Sequence, residues 1–497
     1  MSATLSEQTK AVFEQARNGQ LKAGALIPAY SEQDSYLDTF NPYDNSVIGR
    51  IYRGDSDTVQ AAVSAGRDCF NEGSWSNMEP GERKAVLQRW IALMSDAADE
   101  LAALDCVDAG KPITECLETD IPETLNTFSW YAEASDKLFG KVAPSAPDTL
   151  ALITKEAAGV VGAVLPWNFP AQMFAWKVAP ALAVGNSVVV KPAEQTSLSA
   201  YRMVQLAHEA GVPAGALTMV TGLGEETGQP LGLHNDVDVV SFTGSTEVGR
   251  LFLTYSAQSN LKRIVLECGG KSPQVIFDDV YSLEDIVDDV LAAAFWNMGE
   301  NCSCGSRLLV HHSRKDELLE LLKTKLADWK VGDPTDPATM IGPMVERVHF
   351  DKVVSHLAGA KSDGALLVHG GATPELGAGM FVEPTIFDGV TPSMALFREE
   401  VFGPILAITT FDSEEEAIAL ANDTHYGLAA SLYTADVRRA HRVSRAIRAG
   451  TVSVNCFSEG SMATPFGGYK LSGFGGQDNG MEAFEQYLET KTTWYAN

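Results

Sequence analysis

Two cysteines lie one residue apart in the segment WNMGENCSCGSRL, which runs from Trp296 to Leu308. A metal pair, a redox pair, one half of a disulfide and a catalytic nucleophile could each use such thiols. The chain has seven cysteines, an odd number scattered along its length, and neither a CxxC nor an HxxxH spacing occurs. These patterns favour free thiols over a disulfide framework and give little support to zinc ligation. We therefore predict no metal site.

The residues around Cys302 are small or polar and fill a hydrophobic core poorly, which favours a nucleophile over a buried packing cysteine. A cysteine nucleophile needs hydrogen-bond donors for a tetrahedral oxyanion and a base for the step that follows. Asn168, in the proline-bracketed loop LPWNFP, supplies an amide. Glu267, in VLECGGKSP, supplies a carboxylate between apolar residues and glycines.

Two glycine-containing stretches, TGLGEETG at 221–228 and FTGSTEVG at 242–249, are candidate phosphate loops. Neither is a strict GxGxxG, and an ordinary turn is the alternative interpretation. The second stretch follows a strand pattern and leads into a helix pattern, so its backbone N–H groups could hold a phosphate. In KPAEQTS, Lys191 and Glu194 could contact ribose hydroxyls, or could be a solvated charge pair.

Predicted helices and strands alternate along the chain, and these elements must position the candidate residues. From about Asp57 to Asp108, apolar residues recur every three or four positions and predict amphipathic helices. After Leu150, short β-branched runs alternate with helical stretches, and a second such series begins after Lys271. This alternation predicts an α/β fold with two doubly wound, Rossmann-like parallel sheets. The closing FEQYLETKTTWYAN predicts a strand whose unpaired edge a second subunit would cover, and the stretch GKVAPSAPDTLALITKE could belong to the same arm.

Composition excludes several classes of protein. The 497 residues suffice for more than one core, and no apolar run reaches the roughly 18 residues of a membrane span. The net charge of −28 repels phosphate backbones, so we expect no nucleic-acid partner. The first twenty residues lack the pattern of a signal peptide, which predicts a cytoplasmic protein.

Seven motifs in order along the chain closely resemble those of the NAD(P)-dependent aldehyde dehydrogenase superfamily: PWNFP, KPAEQT, FTGSTEVG, LECGGKSP, GENCSCGSR, EEVFGPI and PFGGYKLSG. The resemblance covers essentially the whole chain. DIP followed by WYAEASDKLFG is most similar to enzymes acting on γ-aminobutyraldehyde derivatives, including the γ-glutamyl and guanidino forms. The resemblance implies oxidation of a small aldehyde to its carboxylate with NAD, by a homo-oligomer that is a dimer or a tetramer.

Residue roles implied by the resemblance can be assigned position by position. Cys302 matches the nucleophile, whereas Cys304 stands where the family often has alanine. Asn168 and the backbone N–H of Cys302 match the oxyanion donors, Glu267 the base that activates water, and Lys177 a proton-relay lysine. The implied cofactor contacts are Leu165, Trp167, Lys191, Glu194, Gly224, Ser245, Glu400 and Phe402. The implied tunnel residues are Phe169, Trp176 and Phe466, with Glu459 and Asp120 as carboxylates at its mouth that could attract an ammonium or a guanidinium.

The chain departs from the family near its end, where the common SGxGRE reads SGFGGQ. Gly476 and Gln477 then occupy the arginine and acidic positions, so the sequence lacks the acidic relay group there. We predict an NAD-binding domain at 1–138 and 158–266, a catalytic domain at 267–480, and an oligomerisation arm at 139–157 and 481–497.

Other functions remain alternatives. The chain could be an aldehyde dehydrogenase of another substrate class, betaine-aldehyde-like or broadly aliphatic, or a coenzyme A-acylating one, although the latter would not need Glu267. A cysteine hydrolase without a redox cofactor would need a histidine base, and none of the nine histidines lies in the motifs. A non-catalytic structural protein is disfavoured because a nucleophile, an oxyanion donor and a base are all present.

Overall fold

The computed structural model describes residues 5–496. Its strands, β1 to β19 in chain order, are Leu21–Ala23, Tyr36–Phe40, Val47–Tyr52, Lys141–Ala143, Thr149–Ala157, Val160–Val164, Ser187–Lys191, Leu217–Met219, Val239–Gly244, Arg263–Cys268, Pro273–Ile276, Arg307–His311, Leu366–His369, Thr385–Asp388, Ile405–Phe411, Ala429–Tyr433, Thr451–Val454, Gly473–Phe474 and Leu488–Ala496.

The helices, α1 to α17, are Glu7–Arg17, Ser56–Glu72, Pro80–Asp96, Ala98–Ala109, Ile113–Glu115, Ile121–Ala134, Pro170–Ala183, Leu198–Ala210, Gln229–Leu233, Thr246–Gln258, Val287–Phe295, Lys315–Leu326, Arg347–Ser362, Ala395–Arg398, Glu414–Asn422, Val437–Ala446 and Glu482–Glu485. Two π-helical segments, Cys116–Asp120 and Gly224–Gly228, and three 3₁₀ segments, Trp296–Gly299, His312–Arg314 and Lys470–Ser472, complete the helical structure. None of the helices within residues 5–496 is long and apolar enough to be a membrane span.

The first sheet has six strands in the order β18-β10-β9-β6-β7-β8. All neighbours pair in parallel except β18, which pairs antiparallel with the end of β10. The strands VVGAV of β6 and SVVVK of β7 are buried along their whole length, as expected for a parallel sheet with helices on both faces. The predicted doubly wound α/β sheet is confirmed.

The second sheet has seven strands in the order β13-β14-β15-β12-β11-β16-β17, all parallel except for the antiparallel pair of β13 and β14. Only four residues separate β10, which ends at Cys268, from β11, which begins at Pro273. This short link joins the two sheets. The loop that carries Cys302 leads directly into β12, a central strand of the second sheet.

Two smaller sheets complete the fold. The sheet β1-β3-β2 near the amino terminus was not predicted. In the sheet β19-β5-β4, the closing strand pairs antiparallel with β5 over nine residues, from Leu488 opposite Ala157 to Ala496 opposite Thr149. The stretch expected to belong to the same arm therefore pairs with one edge of β19. The predicted domain boundaries remain a prediction, although residues 473–474 pair with the first sheet rather than the second.

Candidate active site

A cavity of about 230 Å³ lies where loops from the ends of both large sheets meet. The first sheet contributes the end of β9 and the start of α10. The second contributes the segment after α14 and the loop 296–306, which carries the predicted nucleophile Cys302 and is called the nucleophile loop below. Ten of the residues predicted for the site are on its wall: Trp167, Asn168, Phe169, Trp176, Ser245, Cys302, Glu400, Phe402, Glu459 and Phe466.

The nucleophile loop begins with an unusual turn. Asn297, Met298 and Gly299 have φ angles of 51°, 57° and 71°, which are left-handed values that non-glycine residues rarely adopt. Two amide hydrogen bonds hold the turn, because Asn297 Nδ2 donates to the Asn168 carbonyl at 3.1 Å and to the Glu300 carbonyl at 2.9 Å. The turn directs the residues that follow it in the chain toward the cavity.

The two neighbouring cysteines of this loop have different surroundings. Cys302 is partly exposed on the cavity wall, whereas Cys304 is buried and its Sγ donates to the Ala294 carbonyl at 3.3 Å. Burial raises the pKa of the Cys304 thiol to about 12. The pKa of Cys302 is also raised well above its usual value, first by burial and then by nearby carboxylates, of which Glu459 contributes most. Only Cys302 is placed to meet a molecule in the cavity.

Asn168 is buried against the nucleophile loop. Its Nδ2 donates to the Glu300 carbonyl at 3.0 Å, which orients the amide and leaves its second N–H for another acceptor. Phe169 follows at the start of α7 and packs on Trp296, with ring centroids 5.2 Å apart. The rigid loop predicted from PWNFP therefore contributes both an amide donor and an aromatic wall.

Glu267 lies next to a buried ion pair rather than on the cavity wall. The residue is 4% exposed, and burial together with the charge of Asp478 raises the pKa of its carboxyl well above the usual range. Asp478 in turn pairs with Lys177 at 2.5 Å, and both side chains are fully buried. The sequence leaves open whether a relay operates here, because Gln477 replaces the usual acidic group. In the structure the carboxylate of the next residue, Asp478, lies on Lys177.

The opposite end of the cavity has features suited to a dinucleotide. Ser245 lies on the cavity wall and caps α10 by accepting from the Val248 N–H, and the N-terminus of a helix is a position that favours phosphate. The Trp167 ring lies 5.3 Å from that of Phe402, and Glu400 Oε1 accepts from the Gly270 N–H at 2.9 Å.

The remaining predicted cofactor contacts lie beyond this wall. Lys191, at the end of β7, pairs with Glu194 at 3.1 Å. Leu165 is buried and its N–H donates to the Lys191 carbonyl at 3.0 Å. Gly224 is exposed and begins the π-helical segment after β8. Their contact with a cofactor stays a prediction.

A second cavity of about 430 Å³ adjoins the first and shares Trp176 and Glu459 with it. Trp296 and Phe457 add aromatic walls, and Glu123, an exposed residue of α6, adds a second carboxylate. This second cavity is called the mouth below. It combines aromatic faces with negative charge, a combination that suits an organic cation.

Glu459 also makes hydrogen bonds to the nucleophile loop that the sequence did not indicate. Its Oε1 accepts hydrogen bonds from Asn301 Nδ2 at 3.2 Å and from Ser303 Oγ. These two residues flank Cys302 in the chain. The carboxylate therefore also holds the nucleophile loop from the side of the mouth.

The prediction that Asp120 lies at a partly desolvated mouth is wrong. Its side chain is 1% exposed and pairs with Lys111 at 2.5 Å. The π-helical turn that ends at Asp120 directs this residue into the protein, while Thr119, one position earlier, lines the mouth. Neighbouring positions on a helix face different directions, and the sequence pattern did not resolve which one is outward.

Three residues on or near the cavity were missed by the sequence analysis. His349 and Lys352 lie one turn apart on α13 and both line the cavity. His349 Nε2 lies 2.7 Å from the Phe402 carbonyl, and its ring packs on Trp167 at 5.0 Å. Their spacing of three residues was a signal, but no motif surrounded it. The third, Asp478, was missed because it lies one residue beyond the expected position.

Comparison with known proteins agrees with this geometry. The profile of the aldehyde dehydrogenase family matches residues 29–493. An aminoacetaldehyde dehydrogenase of Pseudomonas aeruginosa is 53% identical over 454 residues, which cover 91% of either chain. The structure of P. syringae AldA, an indole-3-acetaldehyde dehydrogenase mutant in complex with NAD⁺ and IAA, superposes with a TM-score of 0.96 at 44% identity, covering 99% of this chain and 100% of that one. A gamma-glutamyl-gamma-aminobutyraldehyde dehydrogenase from Burkholderia cenocepacia J2315 superposes with a TM-score of 0.94 at 44% identity, covering 98% and 99%.

Proposed function

Since this chain belongs to the aldehyde dehydrogenase family, we propose that it oxidises an ω-amino- or ω-guanidino-butyraldehyde to the carboxylate with NAD as the oxidant. The observation that carries this proposal is the arrangement of two joined cavities. Cys302 and Asn168 lie on the wall of the first, the start of α10 lies at one end, and Glu459 stands where the cavity meets the acidic, aromatic mouth.

The residues at the α10 end fit a dinucleotide. The N-terminus of this 13-residue helix favours phosphate, Ser245, Trp167 and Phe402 lie beside it, and Glu400 borders the cavity. Ser245 and Trp167 would hold the pyrophosphate, Lys191 and Glu194 the adenosine ribose, and Glu400 with Phe402 the nicotinamide side. When bound, NAD supplies the two-electron oxidant that converts the tetrahedral adduct on Cys302 into a thioester.

The protein's own groups carry the remaining steps. The Cys302 thiol loses its proton to water, its sulfur then attacks the aldehyde carbon, and the free N–H of Asn168 and the Cys302 backbone N–H donate to the oxyanion. Glu267 then removes a proton from the water that attacks the thioester. Its raised pKa makes it a stronger base once ionised, and Lys177 with Asp478 offers a buried route for the proton.

The mouth supports a substrate with a cationic tail. A carboxylate in a partly desolvated site attracts an ammonium, and a guanidinium better still through paired hydrogen bonds. Trp176, Trp296 and Phe457 present ring surfaces beside Glu459, and such rings also attract cations. Two of the relatives are named for substrates that contain amino nitrogen, aminoacetaldehyde and gamma-glutamyl-gamma-aminobutyraldehyde.

The test compares 4-guanidinobutyraldehyde with an uncharged aldehyde of equal length in the wild type and in Glu459→Gln. Glutamine keeps an oxygen that can accept from Asn301 and Ser303, so the nucleophile loop stays held while the charge is lost. A charge-assisted hydrogen bond contributes roughly 1.5–3 kcal/mol, so the ratio of kcat/KM values should fall by about tenfold or more.

The matched control is Glu320→Gln, which removes one charge from an exposed pair with Lys323 on α12. It should leave the ratio unchanged. If Glu459→Gln lowers kcat/KM equally for the charged and the uncharged aldehyde, this carboxylate only holds the nucleophile loop. The proposed substrate class would then be wrong.

The cysteine hydrolase alternative has less support. His349 shares the cavity with Cys302, but its Nε2 faces the Phe402 carbonyl and its ring packs on Trp167 at the cofactor end. Glu267 argues against a coenzyme A-acylating enzyme, because transfer to a thiol needs no base for water. Ester hydrolysis without any NADH formation from aldehydes would favour the hydrolase.

We also propose that the protein assembles as a dimer or tetramer through the sheet β19-β5-β4. Trp494, Tyr495 and Val142 on this sheet are 64%, 55% and 68% exposed, and within residues 5–496 only one edge of β19 is paired. A second subunit would cover both features, and light scattering measures the resulting mass.

A further inference from the structure

Lys111 is a buried lysine that no step of the proposed mechanism uses. It follows Gly110, whose φ of 76° ends α4, and only 1% of the residue is exposed. The adjacent segment is fixed to the second half of the protein, because the Ile113 N–H donates to the Pro334 carbonyl at 2.8 Å. A lysine this deeply buried needs partners for its charge.

The Lys111 ammonium has three partners: an ion pair, a hydrogen-bond acceptor and an aromatic face. Its Nζ lies 2.5 Å from Asp120 Oδ2 and 3.1 Å from the Asn168 carbonyl oxygen. The third partner is the face of the Phe169 ring, whose centroid is 3.8 Å away. All three partners belong to the protein interior, and Lys111 lies on the wall of neither cavity, which separates it from a bound substrate.

These contacts converge on the peptide that joins Asn168 to Phe169. The carbonyl of this peptide also accepts from Asn297 Nδ2 at 3.1 Å, so two donors from different segments fix one oxygen. The side chains on both sides of the peptide line the cavity. A small rotation of the peptide would move the Asn168 amide relative to Cys302.

We propose that Lys111, held by Asp120, is a positioning residue that fixes the Asn168 amide in the orientation needed to stabilise the oxyanion. The inference rests on the proposed function, in which Asn168 is the oxyanion donor. It gives the buried pair of Lys111 and Asp120 a role in catalysis through Asn168, rather than in substrate recognition. A group displaced by about 1 Å can lose a hundredfold in rate, so such a support has a measurable effect.

The experiment measures the rate constant of the NADH burst in the full-length protein for Lys111→Met, Asn168→Ala and the double variant. Lys111→Met should lower the burst rate constant about tenfold to a hundredfold, less than the 10²- to 10³-fold typical of losing an oxyanion donor. In the Asn168→Ala background, Lys111→Met should lower the burst rate constant by less than about threefold, because the amide that Lys111 positions is already absent.

The matched control is Lys262→Met. Lys262 is also buried, donates to the Gly232 carbonyl and to Ser259 Oγ, both at 2.6 Å, and lies away from the cavity wall. It should lower stability in urea without lowering the burst rate constant. The inference is overturned if Lys111→Met and Lys262→Met lower the burst rate constant by the same factor. It is also overturned if Lys111→Met lowers this rate constant as much in the Asn168→Ala background as in the wild type.

A further variant keeps the test decisive if Lys111→Met folds poorly. The pair Lys111→Met with Asp120→Leu replaces both charges by apolar groups of similar size, a change that proteins often tolerate. A folded double variant with a wild-type burst would overturn the inference, whereas a slowed burst supports it. If Asn168→Ala alone leaves the burst intact, the oxyanion assignment of the proposed function fails instead.

Discussion

Replacing Asp478 by asparagine separates two roles that its carboxylate could have. The carboxylate lies 2.5 Å from Lys177 Nζ with both side chains fully buried, and its charge helps to raise the pKa of Glu267. Breaking a buried ion pair by neutralising one partner typically costs about 3–5 kcal/mol, because the other charge stays buried without compensation. We therefore expect the free energy of unfolding of Asp478→Asn to fall by about that amount.

The same variant should shift the pH dependence of turnover. Glu267 acts as a base only when ionised, so its pKa sets the acid limb of kcat. Removing the like charge of Asp478 leaves Lys177 as the charged neighbour that favours the ionised form. The pKa of Glu267 then falls, and the acid limb moves to lower pH.

The assays are urea unfolding and a kcat–pH profile, with Asp108→Asn as the control. Asp108 is also buried but, within residues 5–496, is not in an ion pair: it accepts from Thr39 Oγ1 and the Leu198 N–H, and burial raises its pKa to about 8. Because burial raises the pKa of Asp108 and no lysine or arginine in the described part of the chain pairs with it, asparagine should lower the free energy of unfolding by less than about 1 kcal/mol and leave the acid limb of kcat in place. The reasoning is refuted if the free energy of unfolding of Asp478→Asn equals that of the wild type. It is also refuted if kcat falls by the same factor at every pH, so that the acid limb stays at the same pH.

Three further outcomes are expected. Cys302→Ala should abolish turnover without unfolding the protein, while Cys304→Ala should be mild because its thiol contacts only the protein interior; an active Cys302→Ala protein would reverse the assignment. Glu267→Gln should slow thioester hydrolysis by about 10²- to 10⁴-fold and spare the single-turnover NADH burst; loss of the burst as well would point to an earlier or structural role. NAD should give a higher kcat/KM than NADP, because the Glu194 carboxylate would repel a 2′-phosphate; equal values would show that Glu194 does not face the ribose.

The sequence by itself determined the α/β fold and predicted which loops carry the candidate site residues. Continuous β-branched runs alternating with amphipathic helices predicted both large sheets, because backbone hydrogen bonding and burial impose those periods locally. The small and polar neighbours of Cys302 marked its loop, and the ordered motifs identified the segments of Asn168 and Glu267. The sheet β1-β3-β2 was missed because its strands are short and partly exposed, so their pattern is weak.

The tertiary structure alone decided which side chains meet. Asp478 lies 301 positions from Lys177, and Lys111 lies 57 positions from Asn168, so no local pattern links them. Asp120 shows the same limit, since its acidity suggested the mouth while the π-helical turn directs it to Lys111. The periodicity of apolar residues indicates which side chains of one helix or strand are buried. The partner of a buried charge depends instead on how elements distant in the sequence pack together, so a local sequence pattern does not reveal it.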